Sequence, residues 1–376
     1  MIYFDHSAAT PVCKEVMEKM LPYFSQTFAN PSSIYRIGRM ARSAVDMARS
    51  QIAAILGCAQ HEVFFTSGGT ESNNWALFGI SQAYNKKHFI TTKAEHHSVL
   101  SCFEELERRG SKVTYLPVDK HGVISLEDLE HALCPETLLA SFMYANNEIG
   151  SIEHISQVAK LLHARGVFLH TDACQAGGYL DLHVQNLGVD LMTLNGGKIY
   201  GPKGSGVLYI RKGVRITPLH YGGEQEHRLR SGTENVAAIV GFAEALRIAC
   251  SMASEETRRL LKLRKILIEG LFDSIPGVKL NGHPEKRLPN NVHIAIPGVV
   301  GESLLLRLDM EGFCVSAGSA CASGSLEPSH VLRAIGLSDS LARSSIRITL
   351  GRENTEEEIR KFLFCIDKIV QSLLSI

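Results

Sequence analysis

Seven short runs rich in apolar and β-branched residues punctuate the first 210 residues: EVFFTSGG, HFITT, KVTYLPV, LLASFMYA, GVFLHTDA, DLMTLN and GVLYIR. Several are apolar almost throughout, as a strand buried on both faces must be, where a half-exposed strand would alternate. Between them, segments such as SVLSCFEELERRG and ISQVAKLLHARG repeat apolar residues at helical spacing. Strands alternating with amphipathic helices predict an α/β unit on a mostly parallel sheet with helices over its faces.

After about residue 235 the pattern changes, because NVAAIVGFAEALRIACSMASEETRRLLKLRKILIEGLF keeps helical spacing far longer than a crossover helix does. A helix of that length is expected to link two domains. Beyond it, NNVHIAI, CVSAGSAC and SIRITL read as strands or strand ends of a smaller α+β domain, to which the N-terminal arm adds. The expected division is a large domain over residues 15–255 and a small domain made of 1–14 and 256–376.

With 376 residues, 45% of them hydrophobic and 21% charged, the chain can bury two cores. Lys plus Arg and Asp plus Glu number 39 each, so no net charge draws the protein to nucleic acid or to a membrane surface. The start, MIYFDHSAATP, has neither the basic residues nor the apolar run of a secretory signal, and a cytoplasmic protein is expected. The nine cysteines are scattered, odd in number and without a C-x-x-C pair, which predicts reduced thiols and argues against a disulfide framework or a zinc cluster. Cys174 reads as a small packing residue and Cys314 as part of the small-domain core.

In open parallel sheets ligands sit beyond the carboxyl ends of the strands, so the residues after each run carry the candidate chemistry. EVFF is followed by TSGGTESNNWAL, where Gly68 and Gly69 allow close approach to the backbone and Ser67, Thr70 and a helix N-terminus offer an anion seat. The competing reading is an ordinary hydroxyl-capped helix start. GVFLH leads to Asp172 and Gln175, and LMTL leads to NGGKIYGPKGSG with Lys198 in a glycine-flanked turn. The P-loop pattern fails there, because Ile199 follows the lysine. An anion seat, a strand-end aspartate and a pocket lysine together match the requirements of pyridoxal phosphate: covalent attachment, a protonated pyridine nitrogen and a phosphate site.

These residues, with NPSSIYRIGR, AEHHSV, NNEIG, HTDACQ, RSGTENV and GSACASGSLEPSHVLRAIGL, give a chain that resembles the NifS/IscS-like cysteine desulfurases. That family lies within the class-V aminotransferases of PLP-dependent transferase fold type I, and the resemblance runs over nearly the whole chain. It implies a large domain with a seven-stranded, mostly parallel sheet and a smaller α+β domain. It further implies a pyridoxal 5'-phosphate enzyme that converts L-cysteine to L-alanine. Lys198 would carry the cofactor covalently, Asp172 would pair with its ring nitrogen, Gln175 with its hydroxyl, and His96 would stack on the ring and relay protons. Gly69, Thr70 and Asn195 would hold the phosphate, joined by Thr233 from the second subunit of a homodimer. Asn147 would contact cofactor or substrate, and Arg347 would grip the substrate carboxylate. The pair His96–His97 also raises metal binding, but no third ligand stands at a recognisable spacing.

Cys321 matches the catalytic cysteine of the family. Its segment, VSAGSACASGSLEP (about 315–328), surrounds the thiol with glycine and serine where a core cysteine would have bulky apolar neighbours. A thiolate there can take the substrate sulfur as a persulfide, and a mobile loop can pass it to acceptor proteins of iron–sulfur cluster assembly or tRNA thiolation. Two positions depart from the family pattern, with Asn195 in place of a serine and Gly197 in place of a histidine. The alternatives on the same fold are another class-V enzyme, such as an aminotransferase or a selenocysteine lyase, and an inactive dimeric docking protein.

Overall fold

The computed structural model describes residues 1–317 and 327–375. The chain opens with strand β1 (Ile2–Tyr3) and helices α1 (Lys14–Met20), α2 (Pro22–Ser25) and α3 (Arg36–Leu56). Strands and helices then alternate: β2 (Val63–Thr66), α4 (Gly69–Ala83), β3 (His88–Thr92), α5 (His97–Arg108), β4 (Lys112–Leu116), α6 (Leu126–Ala132) and β5 (Thr137–Ser141). They continue through α7 (Ile155–His163), β6 (Phe168–Asp172), α8 (Val184–Leu187), β7 (Leu191–Asn195) and β8 (Gly206–Ile210). The remainder is α9 (Val236–Ser274), β9 (Lys279–Leu280), β10 (Asn291–Ala295), α10 (Gly301–Met310), β11 (Phe313–Cys314), α11 (His330–Ala334), α12 (Asp339–Arg343), β12 (Ser345–Thr349) and α13 (Glu356–Leu374).

Each of the seven apolar runs contains one strand of a seven-stranded sheet, ordered β2-β8-β7-β6-β5-β3-β4. All neighbours are parallel except the two pairs made by β8, which runs antiparallel to β2 and to β7. The nearly continuous apolar character has the expected cause, since both faces are covered. Phe65 joins the core shared with α3, α7 and the first half of α9, whereas its neighbour Phe64 packs on the other face with residues of α4 and α5.

Helix α9 is 39 residues long and begins where the Asn235 side chain accepts from the Ala238 amide at 3.2 Å. It is long and apolar enough to cross a bilayer, yet 56% of its most apolar window is buried inside the protein. Its N-terminal part, through Ala249, belongs to the large core, and from Leu260 to Leu271 it belongs to a second core. The second core also takes Val292 and Ile294 from β10, Ile346 and Ile348 from β12, and Phe362 and Ile366 from α13. The N-terminal arm does add to it: β1 pairs in parallel with β11, and Phe4 packs edge-on against Phe362 at 5.5 Å between ring centroids. Cys314 is only half-buried, contrary to expectation. Among the described residues strand β11 pairs with β1, successive side chains of the strand face opposite ways, and Phe313 takes the inward position.

Burial also sets how the fold answers acid. It pushes His6 and His170 from 6.5 down to about 4 and His293 down to about 3. The same desolvation pushes the carboxyls of Glu95 and Glu148 up, and that of Glu153 to about 7. Between the ordinary glutamate and histidine values, the unfolded chain carries extra protons on its histidines and the folded chain carries extra protons on these glutamates. The two contributions oppose each other there. Below the ordinary glutamate value, 4.5, the histidine contribution is no longer opposed by these glutamates, and stability falls by about 1.4 kcal/mol per pH unit for each histidine only down to its folded value, about 4 for His6 and His170 and about 3 for His293. Urea midpoints measured against pH are therefore expected to change little between 6.5 and 4.5, to drop most steeply from 4.5 to about 4, and to fall more gently from there to about 3 as only His293 continues to contribute among the three.

Candidate active site

The sheet delivers its strand ends to one side, where a cavity of about 250 Å³ opens between the large core and the second core. One end is the N-terminus of α4. Gly68 sits at φ 150°, ψ −177°, a region open in practice only to glycine, and turns β2 into the helix. A Cβ on Gly69 would lie 2.7 Å from the Cys174 sulfur, so glycine is required there by close approach. Thr70 follows on the cavity wall. The acidic residue of this first turn is drawn aside: Glu71 accepts from the Ser67 amide at 2.8 Å and from Arg230 at 2.8 Å. Burial would raise its carboxyl, but those hydrogen bonds outweigh burial and hold it below the usual range. What remains is an uncharged, amide-rich seat suited to a phosphate.

Asp172 ends β6 on the cavity floor. Its Oδ2 accepts from Asn73 Nδ2 at 2.7 Å and its Oδ1 from the Cys174 amide at 3.0 Å. Asn73 also donates to Ser98 Oγ at 2.8 Å, and Ser98 Oγ lies 2.8 Å from His96 Nδ1, so aspartate and histidine are tied into one buried network. Cys174, expected to be mere packing, lines the cavity. Burial, and after it the neighbouring Asp172, push its thiol well up, so it stays protonated and unreactive.

Lys198 stands in the single turn after β7. Asn195 Oδ1 accepts from the Gly197 amide at 3.0 Å, which fixes the turn and leaves the Asn195 Nδ2 end beside Gly69. The Lys198 ammonium donates to the carbonyls of Ser7 and Ala8 at 2.7 and 2.6 Å, and Gln175 Nε2 donates to Ser7 O at 3.0 Å. The N-terminal arm thus closes the floor beneath the lysine. A Cβ on Gly197 would meet nothing nearer than 3.5 Å, so glycine at this position is not dictated by space.

The opposite wall comes from the second core. Arg347, almost fully buried in β12, donates to the Asn147 carbonyl at 2.9 Å and to Asp5 Oδ1 at 2.7 Å. Its own backbone pairs with Ser316, whose amide donates to Arg347 O at 3.1 Å and whose carbonyl accepts from Arg347 N at 2.6 Å. Beside it, buried Glu148 accepts from Ser329 Oγ at 2.5 Å, and His330 Nε2 donates to the Glu95 carbonyl at 2.8 Å.

Lys198, Asp172, Gln175, His96, Gly69, Thr70, Asn147, Asn195 and Arg347, singled out from the sequence, all line this one cavity. Thr233 does not: it is exposed, beyond a segment in which Glu226, His227 and Arg228 take positive φ and Glu226 is held by buried Arg49. Cys321 lies outside the described residues. Sequence reasoning passed over Asn73, Ser98, Glu148 and His330, although TSGGTESNN, AEHHSV, NNEIG and EPSHVLRA contain them.

Residues 2–362 match the aminotransferase class-V family. A cysteine desulfurase IscS of Methanosarcina thermophila is 50% identical over 374 residues, 99% of this chain and 92% of its own. One from Clostridium botulinum is 48% identical over 374 residues, covering 98% of this chain and 94% of its own. A solved NifS-like protein superposes with a TM-score of 0.93 at 38% identity, covering 98% of this chain and 99% of that one. The chain belongs to the class-V aminotransferase family and, within it, to the NifS/IscS-like cysteine desulfurases.

Proposed function

We propose that the cavity binds pyridoxal 5'-phosphate and L-cysteine and that the substrate sulfur leaves on Cys321. The observation that carries this reading is the pairing of an anion seat and a half-buried lysine at one end of the cavity with a buried arginine at the other. The residues fit the cofactor. The Gly69 cradle leaves room for a phosphate against the α4 amides, with Thr70 and Asn195 Nδ2 as further donors, while Asp172 faces the place of a ring nitrogen and Lys198 can bond covalently. When bound, the cofactor supplies an electron sink for charge developing on the substrate carbons.

Around it, Arg347 and Asn147 would orient the substrate carboxylate, Gln175 would bond the ring hydroxyl, and His96 would cover the ring face. The Cys321 thiolate attacks the substrate sulfur; an S–S bond forms, the C–S bond breaks with its electron pair going to carbon, and a proton completes the methyl group of alanine. Cys321 keeps the sulfur as a persulfide and passes it to acceptor proteins of iron–sulfur cluster assembly or tRNA thiolation. The domain division at residue 255 is supported by the change of core along α9. The chain works as a homodimer in which the exposed Thr233 reaches the second subunit's phosphate seat, and the exposed apolar side chains Leu21, Phe24, Phe28 and Ile34 near the N-terminus support such an interface.

Purified protein supplied with L-cysteine and dithiothreitol is expected to be yellow and to release alanine and sulfide in equal amounts. Arg347→Gln is expected to raise KM for L-cysteine about 10- to 100-fold, the worth of one charge-assisted pair, with a smaller change in kcat. A colourless wild type that makes neither product after added pyridoxal phosphate would favour the docking-protein alternative.

A further inference from the structure

We infer that Asp5 is a positioning residue for the substrate, fixing the Arg347 guanidinium that receives the substrate carboxylate; this rests on the desulfurase reading above and deepens it. An arginine side chain is long and turns about several bonds, so its planar fork recognises a carboxylate well only where other groups hold the plane. Two acceptors do so here. Asp5 Oδ1 lies 2.7 Å from Nη2, and the Asn147 carbonyl oxygen lies 2.9 Å from Nη1. They grip different nitrogens of one planar group and come from different parts of the chain, Asn147 from the loop after β5 and Asp5 from the N-terminal arm. Of the two, only Asp5 acts through its side chain.

Asp5 is itself held by its backbone. Its carbonyl accepts from the Tyr3 hydroxyl and from the Ala8 amide, both at 3.0 Å. It also bridges Thr349, which stands two residues beyond Arg347 on β12 and so on the same face of that strand. The Ser7 amide donates to Thr349 Oγ1 at 3.0 Å. The arm therefore reaches Arg347 from a backbone already locked to the same strand. The pair is close to dry, with the Arg347 side chain 2% exposed and that of Asp5 17%, so solvent and salt screen their attraction little. From Asp5 the chain soon reaches the lysine, since the carbonyls of Ser7 and Ala8 accept from the Lys198 ammonium and Thr10 Oγ1 donates to the Gly197 carbonyl at 3.1 Å. One stretch, from Asp5 to Thr10, thus touches both the group for the substrate carboxylate and the turn that carries the reacting amine.

A carboxylate on a guanidinium can instead act as a rival of the substrate, and the two roles differ in sign: removing a rival tightens binding, whereas removing a positioning group weakens it. A rival has to leave as the substrate arrives, and a backbone tied at Tyr3, Ala8 and Thr349 leaves Asp5 only the turn of a short side chain for withdrawal. A guanidinium carries several N–H donors, so a substrate carboxylate does not need the one that Asp5 takes.

A double-mutant cycle on the full-length holoenzyme tests this. Asp5→Ala is expected to raise KM for L-cysteine about 10-fold, the worth of one charge-assisted hydrogen bond, with kcat and the visible absorbance of the bound cofactor changed less than about twofold. Asp5→Asn keeps an oxygen acceptor for Nη2 without the charge and is expected to recover part of the loss, leaving KM raised about threefold. In an Arg347→Gln background Asp5→Ala should raise KM no further, because Asp5 acts through the guanidinium; a merely structural part would raise KM alike in both backgrounds. Parental or lowered KM in both Asp5 variants, or in Asp5→Asn alone if Asp5→Ala does not fold, would overturn the assignment of Asp5 while leaving the desulfurase reading intact, as would an undiminished rise in the Arg347→Gln background. Parental KM in Arg347→Gln itself would overturn the placing of the substrate carboxylate beneath it, and the proposal with it.

Discussion

Lys198→Ala is expected to abolish the visible absorbance of the cofactor-loaded protein and to lower alanine formation by about 10³-fold or more, the order that follows when a covalent and proton-transferring group is removed outright. Among the described residues lining the cavity, none can substitute for it. The cavity's other cysteine and amide side chains cannot replace a primary amine, and Lys203, in the same turn region, donates to the Thr10 carbonyl at 3.3 Å away from the lining residues. The ammonium is held by the carbonyls of Ser7 and Ala8, so the variant loses two hydrogen bonds between the N-terminal arm and the turn after β7. Melting temperature should fall modestly. An absorption spectrum together with a melting curve separates loss of the reacting amine from loss of the fold.

Cys321→Ser should still bind the cofactor and L-cysteine, with the parental spectrum, but form alanine about 10³-fold more slowly, because a serine hydroxyl is neither ionised nor nucleophilic toward sulfur near neutral pH. Other thiols do not fill the gap. Cys174 shares the cavity, yet burial and Asp172 hold it protonated, and Cys102, on the buried face of α5, is pushed by burial to about 12. Cys174→Ser is accordingly expected to leave turnover close to parental. The contrast between two cysteines of one protein makes spectra and rates of the pair informative together.

The fold was legible where burial is two-sided. A run such as GVFLHTD must be apolar because helices cover both faces of β6, and that requirement is local enough to read. The reversed direction of β8 was not legible, since GVLYI satisfies a parallel or an antiparallel neighbour equally well. The strand-end rule located Lys198 and Asp172, whereas Arg347 came from the family resemblance. Asn73 and His330 carried no such mark. Asn73 looks like one more polar residue of a helix first turn, and His330 like the first residue of a short helix; only the packing of α4 and α11 around β6 and the Glu95 carbonyl gives them roles. Cys174, read as a small packing residue, does pack against Gly69 of another element, and only the fold shows that it lines the cavity as well.

The most direct test of the account is a single turnover with L-cysteine carrying labelled sulfur and no added thiol, followed by digestion and mass analysis of the peptide that holds residue 321. The account predicts that labelled sulfur appears on Cys321 as a persulfide, one atom for each alanine released, and that Cys321→Ser carries none. Alanine release with the label found free in solution, or on Cys174, while Cys321 stays unmodified would contradict it.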